Sequence, residues 1–452
     1  MDEATESVAD APPGDEAGRA IDGLLALHPR GHDLSLDRIA RLLRELGDPH
    51  LRLPPVIHVA GTNGKGSVAA FARAMLEADG KAVHVHTSPH LVRWHERYRI
   101  GRRDGPGALV GDAELADTLR RIAKVNAGRA ITVFELLTAA AFVLFEKHEA
   151  DATILEVGLG GRFDATNVVR DPAVAAVTSI ALDHQQWLGD TREAIAAEKA
   201  GIMKRGRPAV IGQQLHAGPR EVLIAEAERR GAVPVVYGRE FYAHEELGRM
   251  IYQHGSGLMD LPRPALIGRH QIANAATAIT ALKAGGFEPS EAAIGRGLTS
   301  AEWPGRLQRL PSGPLRAALR PGTEVWLDGG HNPAAARAVA EAVASMEERH
   351  ARPLMLVVGM LTTKRAAPWF EPFRGLAHQA FTVPVTSSEA GYEPAALAGH
   401  AIDAGLVARP VGSIMEAFER IARGWEEPPR IVVGGSLYVV GEALRLNDSA
   451  PR

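Results

Sequence analysis

The sequence contains no cysteine among its 452 residues. This absence excludes disulfide frameworks, cysteine zinc sites, iron–sulfur clusters and thiol nucleophiles. Long hydrophobic runs are also missing: no stretch of about 20 uninterrupted apolar residues occurs, so no transmembrane helix is expected. Neither sign of charge is in excess, because 51 basic and 54 acidic residues give a net charge of −3. A chain this close to neutral lacks the excess of basic residues that binding to nucleic acid or to an anionic membrane surface requires.

Hydrophobic character is scarce in the first twenty residues as well. They read MDEATESVADAPPGDEAGRA, which is acidic, rich in small residues and without the apolar region of a secretory signal. Such a composition predicts a disordered tail over residues 1–20. A cytoplasmic location follows as the default expectation.

Further along the chain, short apolar runs alternate with longer helical stretches. Because the runs are apolar nearly throughout, they predict a parallel sheet with helices on both faces, which is an α/β fold. The alternation stops at EWPGRLQRL (302–310) and restarts at EVWLDGG (324–330), and RIVVGGSLYVV (430–440) is read as a single late strand. This break predicts a large domain over 21–303 and a smaller α/β domain over 304–452.

The strongest local motif is HVAGTNGKGSVAAF (58–71), an apolar strand followed by a glycine-rich loop and a helix. Successive glycines let backbone N–H groups surround a phosphate, and the helix N-terminus adds partial positive charge. Lys65 is placed to reach the terminal phosphates, and Ser67 to reach a metal or a phosphate oxygen. The match to G-x-x-x-x-G-K-[ST] is imperfect, because Val59 replaces the first glycine and Gly66 follows the lysine. The strand before and the helix after nevertheless favour phosphate binding over an ordinary turn.

Polar side chains stand at the predicted carboxyl ends of three strands. Ser88 and Glu156 each end an apolar run, and His184 follows a third. Open parallel sheets bind ligands at that edge, and Mg²⁺ prefers oxygen donors. These three residues are therefore the predicted metal ligands, with a structural salt bridge as the alternative for Glu156, since a buried carboxylate must be paired or metal-bound. His84 and His86 are read as plain sheet residues.

A helix is predicted within GDTREAIAAEKAGIMK (189–204). Asp190 is its predicted N-cap, with Glu193 three positions later as in a capping box. Lys199 falls about two turns into this helix. Taken alone, that lysine reads as a solvated surface residue.

Together these motifs resemble those of the folylpolyglutamate synthases and dihydrofolate synthases of the Mur ligase superfamily. GTNGKGS is the form that the phosphate loop takes in this family, which accounts for the imperfect P-loop match. The resemblance implies a Mur-ligase-type ATP-binding domain over 21–303, a smaller Rossmann-like glutamate-ligase domain over 304–452, and ATP at their interface. The similarity runs from about residue 20 to 445 and is carried by HVAGTNGKGS (58–67), TSPHL (87–91), TVFELLTAAAF (132–142), EVGLGGRFDATN (156–167), SIALDHQQWLGDT (179–191), EKAGIMK (198–204), GRHQIANAATA (268–278), WPGRLQ (303–308) and LDGGHNP (327–333).

The family resemblance implies a bifunctional ligase. ATP would drive the coupling of L-glutamate to the carboxylate of dihydropteroate or of a folate, through an acyl phosphate. A folylpolyglutamate synthase without the second activity and a P-loop ATP-binding protein that ligates nothing stay open as alternatives. A peptidoglycan ligase is disfavoured, because only about 50 residues precede the loop where such an enzyme carries a nucleotide-sugar-binding domain. The expected partners are small molecules, with no nucleic acid and no membrane, and the chain is expected to be a monomer.

By motif, the resemblance also implies a role for each site residue. Lys65, Glu156, His184 and Lys199 would be catalytic, and Ser88, Glu156 and His184 would hold two Mg²⁺ ions. Lys199 matches the lysine that this superfamily carbamylates, which would turn its cation into an anion. The remaining assignments are Thr62, Asn63, Gly64, Lys65, Gly66 and Ser67 for the triphosphate, Asn274, Arg306, Asp328 and His331 for the rest of ATP, and Thr132, Phe134, Arg162 and Asp164 for the pterin or folate.

Overall fold

A computed structural model describes residues 16–27, 35–255 and 257–451. The chain divides into two compact units. The N-terminal unit comprises the described residues up to Leu266 together with His270–Glu302, and the C-terminal unit comprises Ile267–Arg269 and the described residues from Trp303 onward. Each unit is built on its own mainly parallel sheet, so the predicted α/β class is confirmed.

The N-terminal unit contains an eight-stranded sheet with the order β4-β3-β2-β5-β1-β6-β7-β8 and a separate three-stranded antiparallel sheet, β9–β11. In the large sheet only β3 and β4 run antiparallel to their neighbours. Every residue of β1 and of β5 is buried, as continuous apolar runs in a doubly covered sheet require. The strands are β1 (Val56–Ala60), β2 (Val83–His86), β3 (Tyr98–Ile100), β4 (Ala108–Leu109), β5 (Ala152–Glu156), β6 (Val174–Val177), β7 (Pro208–Ile211), β8 (Val233–Val236), β9 (Phe241–Glu246), β10 (Arg249–His254) and β11 (Gly257–Pro262).

Helices cover both faces of this large sheet. One face packs against the helix after β1 and against a later helix, and the other face packs against the helix that precedes β5. Within the described ranges, no helix has the length and apolar character needed to cross a bilayer. The helices are α1 (Glu16–Leu27), α2 (Asp37–Glu45), α3 (Lys65–Ala78), α4 (Asp112–Asn126), α5 (Val133–Lys147), α6 (Gln185–Leu188), α7 (Arg192–Lys199), α8 (Ala217–Arg230), α9 (His270–Ala284) and α10 (Glu291–Ser300), with short 3-10 helices at Pro49–Leu51, Trp94–Arg97, Ala165–Val168 and Ala200–Ile202.

The predicted tail over residues 1–20 is wrong in its last part. Residues 1–15 lie outside the described residues, but α1 already begins at Glu16. The carboxylate of Asp112 on α4 accepts hydrogen bonds from the backbone N–H groups of Glu16, at 2.8 Å, and Ala17, at 3.3 Å. Ala17 and Ile21 are fully buried. The helix therefore forms because a tertiary partner caps it and covers its apolar face.

The C-terminal unit has a six-stranded sheet with the order β12-β13-β17-β14-β15-β16, in which only β12 is antiparallel. Its strands are β12 (Gln308–Arg309), β13 (Glu324–Asp328), β14 (Leu354–Val358), β15 (Gln379–Thr382), β16 (Ala408–Pro410) and β17 (Arg430–Gly434). Its helices are α11 (Pro314–Ala317), α12 (Pro333–Arg349), α13 (Ala366–Phe370), α14 (Pro394–Asp403), α15 (Ile414–Gly424) and α16 (Leu437–Leu446), with a 3-10 turn at Glu371–Phe373.

The single strand predicted over 430–440 is wrong beyond Gly434. Gly435 has a positive φ of 90°, which ends the strand. Ser436 then caps a helix, because its hydroxyl accepts a hydrogen bond from the N–H of Val439 at 3.2 Å. The apolar residues that follow belong to α16.

Three histidines, His58, His84 and His86, are buried in the large sheet, and burial lowers the pKa of each. Burial lowers the pKa of His58 to about 3 and that of His86 to about 4, and the nearby Arg97 contributes to the second shift. Histidine in an unfolded chain titrates near pH 6.5. Below about pH 6.5 the unfolded state therefore binds more protons, so stability falls as the pH falls from there toward the folded-state pKa. His86 alone should cost about 2 kcal/mol of unfolding free energy between pH 7 and pH 5.

Asparagine at position 86 provides a test of this acid sensitivity. His86 Nδ1 lies 3.0 Å from the carbonyl of Arg97, and an asparagine amide can donate there without titrating. Urea unfolding of His86→Asn should show a smaller loss of stability between pH 7 and pH 5 than the wild type. His244→Asn, on the separate three-stranded sheet, is the control and should keep the wild-type loss. Equal losses in wild type and His86→Asn would contradict the prediction.

Candidate active site

The loop after β1 is held against the chain that follows β6. The backbone N–H groups of Thr62 and Asn63 donate to the carbonyl of Ser179 at 2.9 and 3.2 Å. The hydroxyl of Thr178 donates to the carbonyl of Asn63 at 2.7 Å. Gly61 has a φ of 144°, and a Cβ there would lie 1.8 Å from the Thr178 hydroxyl, so only glycine fits. The loop is thus preorganised by its own contacts.

The α3 helix begins directly behind this loop. Lys65 is its first residue, and Gly64 before it has a φ of 92°. The N–H groups of the first turn and the helix dipole face the loop, as in phosphate sites. Asn274 on α9 borders the same loop, because a Cβ at Gly64 would lie 2.6 Å from its side-chain oxygen. Asn274, predicted from the motif alone to contact ATP, is therefore next to the loop predicted to bind the triphosphate.

Lys65 and Glu156 meet at the carboxyl edge of the sheet. The two strands that lead to them, β1 and β5, are parallel neighbours, and Val59 pairs with Glu156 in their register. The Lys65 ammonium lies 3.8 Å from Glu156 Oε1 and donates to the carbonyl of Thr62 at 3.4 Å. Glu156 is only 5% exposed. A lysine and a buried carboxylate are thus placed together beside the glycine loop.

Lys199 is buried, so its interpretation as a solvated surface residue is wrong. It is the last residue of α7 and is 5% exposed. Burial, together with the positive charge of Lys65, lowers the pKa of Lys199 to about 7. Near neutral pH a large fraction of its amine is therefore uncharged and nucleophilic.

The start of α7 also differs from the prediction. Its N-cap is Thr191, not Asp190, because the Thr191 hydroxyl accepts a hydrogen bond from the N–H of Ala194 at 3.1 Å. Thr191 has the extended conformation that a cap needs, and Asp190 stands one residue too early for its side chain to take that role. The helix nevertheless places Lys199 about two turns from its start.

The loop from Gly158 to Asp164 lies against Lys199. A Cβ at Gly161 would lie 2.8 Å from the Cα of Lys199, so the glycine permits direct backbone contact. The N–H of Arg162 donates to the carbonyl of Glu198 at 2.9 Å, and its guanidinium lies 3.6 Å from the Glu198 carboxylate. The Arg162 side chain is 40% exposed. It is thus anchored at its backbone, while its side chain reaches solvent.

Asp164 closes this loop and is 4% exposed. One of its oxygens accepts from the N–H of Leu159 at 2.9 Å and the other from the N–H of Thr166 at 3.0 Å. Burial raises its pKa, against the effect of these hydrogen bonds. Asp164 therefore stabilises the conformation of this loop through its hydrogen bonds. Its predicted contact with the pterin stays a prediction.

Thr132 and Phe134 stand at the start of α5. The Thr132 hydroxyl accepts from the N–H of Glu135 at 3.2 Å, and the Glu135 carboxylate accepts from the N–H of Thr132 at 2.7 Å, which is a capping box. The Phe134 ring packs on Gly158, where a Cβ would lie 2.4 Å from the ring. The structure thus places Phe134 against the loop that also carries Arg162.

Ser88 and His184 follow β2 and β6 at the edge where Glu156 lies. Ser88 is half-buried, and the peptide bond from Ser88 to Pro89 is cis. His184 precedes the short α6 helix with a φ of 51° and makes no side-chain capping hydrogen bond; its side chain is 44% exposed and lies 3.9 Å from the Asp183 carboxylate. Their roles as metal ligands stay predictions.

Sequence reasoning missed Arg97, which precedes β3. Arg97 is 4% exposed, its Nε donates to His90 Nδ1 at 3.0 Å, and its guanidinium lies 4.6 Å from the centre of the Trp94 ring. Among the described residues, no carboxylate forms an ion pair with it. A buried cation without an anionic partner is costly, so the arrangement suits a bound anion. The sequence carries only a weak signal here, because an arginine beside a strand is usually a surface residue.

In the C-terminal unit, three predicted nucleotide residues lie around the end of β13. Asp328 is 8% exposed, and its two oxygens accept from the N–H groups of Leu307, at 3.0 Å, and Gly330, at 2.8 Å. Arg306 donates to the carbonyl of the preceding glycine at 3.0 Å, and His331 Nδ1 lies 3.0 Å from a carbonyl two residues earlier. The structure groups these residues, and their contact with nucleotide stays a prediction.

Comparison with known proteins places the chain among ligases. The Mur ligase middle domain matches residues 59–282, and the Mur ligase glutamate ligase domain matches residues 305–437. Dihydrofolate synthase/folylpolyglutamate synthase of Escherichia coli (strain K12) is 33% identical over 426 residues, covering 94% of this chain and 93% of that protein. E. coli FolC in complex with DHPP and ADP has a TM-score of 0.85 at 32% identity, covering 97% of this chain and 98% of that one. A bifunctional folylpolyglutamate synthase/dihydrofolate synthase with Mn, AMPPNP and L-glutamate bound has a TM-score of 0.82 at 31% identity, covering 98% and 99%.

Proposed function

The chain belongs to the Mur ligase family, among the dihydrofolate and folylpolyglutamate synthases, and on this premise we propose that it ligates L-glutamate to dihydropteroate and to folates at the expense of ATP. The observation that carries the proposal is the placement of Lys65 3.8 Å from the buried Glu156 beside a preorganised glycine loop. That arrangement suits phosphoryl transfer to a carboxylate. The full length of the similarity to bifunctional relatives favours both activities in one chain.

The residues at the sheet edge fit a nucleotide and a divalent cation. Gly61 and Gly64 leave the loop without side chains where a phosphate would approach. Glu156 and Ser88 would supply oxygen donors and His184 a nitrogen, a set compatible with Mg²⁺, and we propose two ions as the family resemblance implies. When bound, the metal offsets phosphate charge and polarises the phosphoryl group. Asn274, Arg306, Asp328 and His331 would contact the rest of ATP.

The first chemical step makes the substrate carboxylate electrophilic. A carboxylate oxygen attacks the γ-phosphorus, the bond from that phosphorus to the β–γ bridging oxygen breaks, and ADP leaves. The Lys65 ammonium, first in α3, would offset the charge that builds on the transferring phosphoryl group. In the second step the neutral amine of L-glutamate attacks the acyl carbon, loses a proton, and expels inorganic phosphate.

Several residues would bind the acceptor substrate. The Arg97 guanidinium, buried and without a carboxylate partner among the described residues, would pair with a substrate carboxylate. Phe134 would pack against the pterin or aryl group, and Thr132, Arg162 and Asp164 would contact it, as the motifs predict. Of these residues, Phe134, Arg162 and Asp164 lie on or against the Gly158–Asp164 loop.

Lys199 would act as a carbamate. Its neutral amine adds to CO₂, which forms a nitrogen–carbon bond, releases a proton and leaves an anion. Burial lowers its pKa to about 7, so the neutral form that this reaction needs is available. The anion would then support the cation site close to Glu156.

A substrate panel tests the proposed function. The purified protein should release phosphate from ATP only when L-glutamate and a pteroate or folate acceptor are both present, because the acyl phosphate forms on one and is resolved by the other. Dihydropteroate and tetrahydrofolate are assayed separately, and activity with both supports the bifunctional enzyme. Activity with tetrahydrofolate alone indicates a folylpolyglutamate synthase. Phosphate release that ignores glutamate would favour a non-ligating ATP-binding protein and overturn the proposal.

A further inference from the structure

A chain of buried hydrogen bonds connects the phosphate-loop strand to the Gly158–Asp164 loop. His58 lies in the middle of β1, and its Nε2 is 2.8 Å from the hydroxyl of Thr166. That hydroxyl in turn donates to the carboxylate of Asp164. His58 and Thr166 have no exposed surface, and Asp164 is 4% exposed. These three side chains are called the relay below.

The proton positions in the relay follow from its donors and acceptors. The Thr166 hydroxyl has one hydrogen, and it is used on the Asp164 carboxylate. It must therefore accept from His58, which places the imidazole proton on Nε2. His58 Nδ1 is then a buried acceptor, and no described residue donates to it.

Stability does not explain the presence of this histidine. A buried nitrogen without a partner costs free energy, and the sheet face around it is apolar. An aliphatic side chain at position 58 would avoid that cost. An aliphatic side chain, however, could not donate a hydrogen bond to the Thr166 hydroxyl. That hydrogen bond orients the hydroxyl so that its hydrogen points at Asp164.

The loop that the relay holds contacts the residues of the proposed reaction. Asp164 fixes the N–H group of Leu159, at 2.9 Å, near the start of the loop. Between these points the loop touches the backbone of Lys199 through Gly161. The same loop begins two residues after Glu156, and β1 reaches the phosphate loop three residues after His58. The relay therefore links two segments that must be in register for phosphoryl transfer.

We propose that His58 and Thr166 are positioning residues, which fix the Gly158–Asp164 loop relative to the phosphate loop so that the acceptor substrate meets the γ-phosphate. The proposal rests on the proposed function for its kinetic consequence and on the contacts above for its structural one. Neither residue touches a reacting atom, and both act through Asp164.

Matched variants at position 166 test the relay. Valine has nearly the shape of threonine but makes no hydrogen bond, whereas serine keeps the hydroxyl. We expect Thr166→Val to raise the KM for dihydropteroate or tetrahydrofolate about 10-fold or more, with the KM for ATP little changed, since a hydrogen bond to a charged group is lost. Thr166→Ser should stay near the wild type. An unchanged acceptor KM in Thr166→Val, or an equal rise in all three substrate KM values with a lower Tm, would overturn the proposal.

Variants at position 58 separate positioning from folding. His58→Leu should keep or raise the Tm and still raise the acceptor KM, whereas His58→Gln, which can donate to Thr166, should fall between His58→Leu and the wild type. A lower Tm without a change in the acceptor KM would mean that the histidine is merely structural.

Hydrogen exchange tests the relay without substrate. In Thr166→Val the peptide covering residues 158–167 should exchange faster than in the wild type, with the peptides of β10 and β11 unchanged. Unchanged exchange at 158–167 overturns the relay, whatever the enzyme does. If the wild type fails the substrate panel instead, the proposed function falls, and the exchange result still decides the structural claim.

Discussion

Replacing Lys65 by alanine is expected to lower kcat about 1,000-fold while the protein stays folded. The Lys65 ammonium is the cation at the start of α3, 3.8 Å from the Glu156 carboxylate. Phosphoryl transfer depends on fixed positive charge around the transferring group, and alanine removes that charge without a substitute. The measurement is phosphate release at saturating ATP, L-glutamate and tetrahydrofolate, with circular dichroism and thermal unfolding as checks on the fold.

The control for this variant lies just beyond the other end of the same helix. Lys81 is exposed and follows α3, so Lys81→Ala removes one positive charge without touching the phosphate loop. It should keep the wild-type kcat. Near-wild-type turnover by Lys65→Ala would refute its phosphate role, and an equal loss in both variants would point to a general effect of charge.

The parallel strands could be predicted from the sequence because burial on both faces leaves an unmistakable pattern. The runs around β1 and β5 are apolar nearly throughout, and both strands are fully buried. The same rule failed after Gly434, where an equally apolar stretch forms α16. Composition cannot separate a buried strand from a buried helix over so few residues. The decisive features there were the backbone of Gly435 and the cap at Ser436, which are local and easily overlooked.

The site was predictable where the fold places strand ends side by side. Lys65 follows β1 and Glu156 ends the neighbouring parallel strand β5, so their proximity is a consequence of sheet topology. The burial of Lys199 was not predictable, because it depends on tertiary packing, of which the contact between Gly161 and the Lys199 backbone is one part. Arg97 was missed for a similar reason, since its burial against Trp94 and His90 arises from one short 3-10 helix and the loop before it, which leave no periodic pattern in the sequence. Site residues that are positioned by loops could be identified only from the structure, whereas those at strand ends could be predicted from the sequence.

Lys199→Ala is expected to lower activity about 100-fold and to recover part of it when a short carboxylic acid is added. The carboxylate of propionate would occupy the space of the proposed carbamate and supply the missing negative charge near the proposed cation site. The substitution should not lower the free energy of unfolding. Burial lowers the pKa of Lys199 from 10.5 to about 7, so the unfolded state binds more protons between those values, and at pH 7 and below the buried lysine opposes folding.

Removal of dissolved CO₂ tests the proposed carbamate at Lys199 independently. Wild-type activity at pH 7 should fall in CO₂-depleted buffer and return with bicarbonate, because the proposed carbamate would form reversibly from the neutral amine. Lowering the pH below about 7 should make activity depend more strongly on CO₂, since protonation of Lys199 removes the neutral amine that reacts.

Propionate should rescue Lys199→Ala and leave Lys65→Ala inactive, because the second variant lacks a cation. Full activity of Lys199→Ala without any additive would remove the carbamate from the mechanism. Wild-type activity that does not depend on CO₂ would mean that Lys199 acts as an unmodified amine.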